Sequence, residues 1–185
     1  MSTSERLALG LIVVAALGAC ATPTGGSAPP SAQPAFGRVA TADEIAAWDL
    51  SIAPSGAGLP AGSGTAKQGA GVYRLKCLAC HGEKGAGQPA DALVGGFGSL
   101  ASAKPVRTVG SYWPYATTLF DYVRRAMPIN KPMSLSNDDV YAVSAYILFQ
   151  NGIVSEDLAM TATSLPRVEM PNRNGFISEW RPRSR

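Results

Sequence analysis

The sequence holds one histidine, His81, and that scarcity limits its chemistry more than any other count. Every centre needing two imidazoles is excluded: two-histidine haem, histidine-rich zinc or copper sites, and facial iron triads. Charge is sparse too, at 16% of residues, with 16 Lys and Arg against 13 Asp and Glu. A formal +3 over 185 residues is too weak a field for nucleic acid, so no such partner is expected. Only three cysteines occur, Cys20, Cys77 and Cys80, and an odd set with two members three positions apart is not a disulfide framework. No apolar run approaches the about 20 residues that span a bilayer. Strict alternation, internal repeats and a Gly-rich phosphate loop are also missing. Hydrophobic side chains (46%), 20 Gly and 14 Pro are abundant, which describes a globular chain with long loops.

The apolar run Leu7 to Leu17 follows Arg6 and reads as the core of a secretory signal. Leu17-Gly18-Ala19-Cys20 then resembles a bacterial lipobox, in which Cys20 becomes the lipidated first residue. The expectation is a signal peptide over residues 1–19 and a membrane-tethered lipoprotein in the periplasm. The alternative is an ordinary signal in which Cys20 plays no part. Besides Cys20, residues 20–35 hold only Ala, Pro, Thr, Gly, Ser and Gln, with no charge and no large apolar side chain, which cannot bury enough surface to fold and read as a flexible tether.

Residues 36–64 read as an N-terminal extension with one short helix, begun by the capping box Thr41-Ala42-Asp43-Glu44. Residues 65–153 form the domain proper and 154–185 a C-terminal extension. Thr65 caps a helix with Val72, Leu75 and Ala79 at helical spacing, which ends by delivering Cys77, Cys80 and His81. A further helix fits Tyr115 to Met127, with Leu119, Tyr122, Val123 and Ala126 on one side, and Pro128 stops it. Ser136 caps the last helix, whose apolar face holds Val140, Val143, Ile147 and Leu148 and which Asn151-Gly152 terminates. The class is all-α with long loops.

Cys77-Leu78-Ala79-Cys80-His81 carries the chemistry. Two cysteines three apart share a helical face, so both thiols can add to the vinyl groups on one edge of a porphyrin while the adjacent imidazole meets the iron. This is the attachment sequence of c-type haem, and it implies one covalent haem c. A zinc site would need a fourth ligand from Asp or Glu, and a thioredoxin-like dithiol would need a βαβ context. Neither is apparent.

A helix ending in that motif, a Gly-rich loop, Met127-Pro128 and a capped amphipathic helix together resemble class I cytochrome c. Gly69 and Tyr73 match the family's spacing where its first and last helices cross, and Tyr146 matches the aromatic of the last helix. The resemblance implies that fold, helices and long loops around one haem. It departs after His81. Leu93-Val94-Gly95 matches, but Asp91 stands where the family has the proline whose carbonyl takes the imidazole hydrogen bond, and Pro89 lies two residues earlier. Which carbonyl orients His81 is open.

With no second histidine, a thioether is the usual sixth ligand. Met127 is favoured because its place before Pro128 and the last helix is close to the family's ligand spacing. Met133, in the same loop, is the alternative. Met160 and Met170 read as packing or tail residues. Arg107, Tyr112 and Trp113 are candidate donors to the haem propionates, against the plainer reading of surface charge and aromatic packing.

A narrower resemblance rests on Gly58 to Gly64, Thr108 to Tyr122, Arg125 to Pro128, Val140 to Val143 and Leu165 to Phe176. These segments are similar to the cytochrome subunit of bacterial sulfur-oxidation systems (SoxD-like). The resemblance implies an electron-transfer subunit without catalysis of its own, serving a molybdenum-cofactor sulfur or sulfite dehydrogenase and a downstream cytochrome. Many relatives are longer and carry a second haem. The competing reading is a haem enzyme or small-gas sensor with an open axial position.

Overall fold

The computed structural model describes residues 37–177 and 179. The expected signal peptide, Cys20 and tether lie outside the described residues. The chain divides into two units, residues 1–45 and 46–185.

At the end of the first unit a helix begins, α1 (Ala42–Trp48), and none of its residues is buried. The capping box forms as expected: Glu44 N–H donates to Thr41 Oγ1 (3.3 Å) and Thr41 N–H donates back to the Glu44 carboxylate (2.9 Å). Arg38 pairs with the same carboxylate. That guanidinium, and after it the Thr41 N–H, holds the Glu44 carboxyl down at about 2.

The second unit contains α2 (Ala66–Lys76), α3 (Leu78–His81), α4 (Ala116–Ala126) and α5 (Asn137–Gln150). Two 3-10 turns, Glu83–Gly85 and Leu165–Arg167, and two strands of two residues each, β1 (Ser63–Gly64) and β2 (Met160–Thr161), complete it. Thr65 and Gln68 make a full capping box at the start of α2, and Ser136 Oγ accepts from Asp139 N–H at the start of α5.

Helix α5 is the centre of the core. It touches α2, α4 and both strands, and everything from Val140 to Leu148 except Tyr146 is buried. The expected face of Val140, Val143, Ile147 and Leu148 is therefore inside, but so is most of the rest, because neighbours surround the helix. Helix α2 crosses α5 at Gly69, where any Cβ would meet the Ala142 carbonyl. Bare backbone is what allows this close approach.

Two faces differ from expectation. On α2 the buried set is Ala66, Gly69 and Tyr73, while Leu75 is 74% exposed; Ala79, expected on the same helix, falls in α3 and is exposed. On α4 Phe120 is buried and Tyr122 turns outward. In both helices the tertiary neighbour selects the face, and an apolar residue one position off it stays in solvent.

The strands pair antiparallel, Ser63 with Thr161 and Gly64 with Met160. Two residues are too few to show alternation, so the pairing had no sequence signal. Residues 49–62 wrap the unit without regular structure, and their carbonyls are satisfied by side chains: Tyr141 Oη donates to Pro60 O (2.9 Å) and Asn137 Nδ2 to Ala61 O (3.3 Å). The C-terminal extension does more than drape over the surface. Met160, Leu165, Val168 and Met170 enter the core itself. Among the described residues no helix is long and apolar enough to cross a membrane.

Candidate haem-binding site

Helix α2 does not run through to His81. Cys77 leaves helical geometry at φ −124° and ψ −35°, and α3 starts afresh at Leu78. The Cys77 carbonyl accepts from both Cys80 N–H (3.1 Å) and His81 N–H (3.0 Å), so one tight turn carries both sulfurs and the imidazole. Gly82, at φ +69°, ends that turn in a conformation few other residues adopt. Tyr73 Oη donates to the Gly82 carbonyl (2.8 Å), which ties the turn back to α2. Burial, with the adjacent Cys77, pushes the Tyr73 phenol up to about 12, so it remains a donor.

Cys77 and Cys80 do not form a disulfide. Burial, and secondarily Cys80, pushes the Cys77 thiol up to about 11. No three His, Cys, Asp or Glu side chains converge among the described residues, which leaves zinc without a ligand set.

The loop after the motif folds back onto it. Gly87 N–H donates to His81 O (2.8 Å), Ala90 N–H to Cys80 O (2.8 Å), and Leu93 N–H to Gly85 O (2.8 Å). These bonds bring the Asp91 carbonyl to 3.0 Å from His81 Nδ1. A carbonyl only accepts, so Nδ1 carries the proton and the lone pair is left on Nε2. The carbonyl that orients His81 thus belongs to Asp91, the residue at the expected proline position.

Cys77, Leu78, Leu93, Trp113, Met127 and Leu135 pack against the core and stay partly uncovered. Two cysteines on one turn, an imidazole with Nε2 available and half-covered apolar side chains fit a covalently held porphyrin. Met127 closes α4 in extended geometry and is half-buried against the core. Met133 is 55% exposed, and Met160 and Met170 are buried core residues.

The three candidate propionate donors separate. Arg107 lies over the Tyr112 ring (5.5 Å), and Tyr112 meets Phe176 edge-on (5.1 Å). Arg107, Tyr112 and Phe176 border a surface hollow of about 380 Å³ shared with Asn172. Trp113 instead packs edge-on against Tyr122 of α4 (5.7 Å).

The model of the family "Cytochrome C oxidase, cbb3-type, subunit III" matches residues 64–147. No curated protein matches the chain significantly. Among solved structures, the sulfane dehydrogenase SoxCD from Paracoccus pantotrophus is similar at 41% identity and a TM-score of 0.74, over 80% of this chain and 73% of that one. Helix order, the Cys77–His81 turn and these matches agree, and the chain belongs to the class I cytochromes c, among the SoxD-like cytochromes of bacterial sulfur oxidation.

Proposed function

We propose that this electron-transfer cytochrome holds one haem c through thioether bonds from Cys77 and Cys80, each S–H adding across one vinyl group. In this reading His81 Nε2 and Met127 Sδ would be the protein ligands of the haem iron. The haem supplies a one-electron ferric/ferrous couple. The observation that carries the reading is the bond from His81 Nδ1 to the Asp91 carbonyl, which fixes the tautomer and presents Nε2 as a ligand. The half-buried place of Met127, against exposed Met133, supports the choice of thioether. Arg107, Tyr112 and Trp113 provide a guanidinium, a phenol and an indole N–H for the propionates.

Electrons arrive from a molybdenum-cofactor sulfur or sulfite dehydrogenase subunit and leave for a downstream cytochrome of the respiratory chain. The similarity to the SoxCD structure supports the first partner. A periplasmic site, with the chain tethered through lipidated Cys20, rests on the signal-like run and the Leu17–Cys20 segment. With His81 and Met127 both ligating, the iron would have no place for a substrate, in contrast to an open-iron enzyme or gas sensor.

The test is the protein purified from membranes. Its denatured mass should exceed that of the processed, acylated chain by one haem, and a molybdenum protein should copurify. A colourless product would end the proposal. Rapid carbon monoxide or cyanide binding by the untreated protein would favour the open-iron reading.

A further inference from the structure

We propose that Asn151 is a positioning residue for the His81 imidazole, acting through residues 93–95 to hold the Asp91 carbonyl against Nδ1. The inference rests on the proposed role of His81 as an iron ligand.

Asn151 follows α5 at φ −86° and ψ 1°, and the left-handed residue that ends the helix is Gly152, at φ +68°. The backbone therefore has no need of asparagine at 151, and its side chain accounts for its identity. That side chain is buried and every one of its contacts is internal. Nδ2 donates to Ile147 O (2.9 Å) of its own helix and to Leu93 O (3.1 Å), while Oδ1 accepts from Gly95 N–H (3.1 Å). Gly110 lies so close that a Cβ there would strike the amide, which leaves it little room to turn. Other bonds to this segment come from the Glu83–Gly85 turn and from a loop: Leu93 N–H and Val94 N–H to Gly85 O (2.8 and 3.2 Å), Val109 N–H to Leu93 O (3.3 Å) and Thr108 Oγ1 to Gly95 O (2.6 Å). Asn151 ties the same segment to α5, the most buried helix.

Leu93 is two residues from Asp91, whose carbonyl meets Nδ1. Asp91 is exposed and has no ring to fix its φ, so its carbonyl is held from both flanks: by Ala90 before it, whose N–H is bonded to Cys80 O, and by residues 93–95 after it, where Asn151 acts. A firm acceptor at Nδ1–H makes Nε2 a stronger donor, which favours ferric iron; a loosened one raises the midpoint potential.

The experiment uses the haem-loaded full chain with Asn151→Ala and Asn151→Asp, and Leu165→Ala as a core-destabilising control. Both Asn151 variants should show an upward-shifted midpoint potential and a His81 ring N–H that exchanges with deuterium about tenfold faster, while the control keeps the wild-type potential. Wild-type potentials in both Asn151 variants, or the same shift in the control, would overturn the proposal. Should neither Asn151 variant fold, hydrogen exchange in the wild type decides. Matched protection of the Gly95 amide and the His81 ring N–H supports a common hold, and a protected His81 beside a freely exchanging Gly95 refutes it. A wild type lacking haem would instead refute the functional reading.

Discussion

At the scale of single residues, two methionines in one loop differ by their surroundings. Met127 follows the last turn of α4 and packs on the core, whereas Met133 sits at φ +58° with its side chain mostly in solvent. Thioether ligation produces a far-red absorption band in the ferric protein. Met127→Ala should abolish that band and admit external ligands such as cyanide, and Met133→Ala should leave it in place. Absorption spectra of the two variants check this, and the opposite pattern would move the ligand to Met133. The Cys77–His81 motif stands out in five consecutive residues because the chemistry proposed for it demands a fixed local spacing. Asp91 stood out only by its place in the family pattern and Asn151 only as a helix end, because one makes its contact through a backbone carbonyl and the other bonds to residues 56 and 58 positions earlier. A side-chain identity gives no sign of either role.

At the scale of elements, caps were readable and faces were not. Thr41, Thr65 and Ser136 all cap where their sequence places them, since a cap is settled within four residues. Leu75 and Tyr122 fit a helical period yet point outward, because the docking of α2 and α4 against neighbours decides which of several apolar stripes is covered. Two predictions belong here. Gly69→Ala puts a methyl against the Ala142 carbonyl at the α2–α5 crossing, a backbone group that cannot yield as a side chain would. It should cost about 1–3 kcal/mol by urea denaturation despite the better helix propensity of alanine. The capping box of α1 should depend on pH. The Glu44 carboxyl is lowered from 4.5 to about 2, so its contribution is present above 4.5 and lost as pH falls through 2. The far-UV circular dichroism difference between the wild type and Glu44→Gln should be largest above pH 4.5 and close toward pH 2.

At the scale of the whole molecule, the C-terminal extension and the residues before α2 close the fold together. Leu165 and Met160 are fully buried, β2 pairs with β1, and Pro166 sits against Gly56. The helices of a chain of this size offer limited apolar contact among themselves, and residues 160–170 add to it. Leu165→Ala and Met170→Ala should therefore behave as core substitutions, each lowering stability by about 2–5 kcal/mol. Ile177, which is 87% exposed in the same extension, gives the contrast: Ile177→Ala should change stability by no more than about 0.5 kcal/mol. Urea denaturation of the haem-loaded chain followed by tyrosine and tryptophan fluorescence measures all three. A single transition shifted to lower urea in the first two variants is expected, because the buried side chains join the same cluster as Phe120, Tyr141 and Leu148. An early separate transition that leaves the main one in place would show the extension to be a peripheral layer.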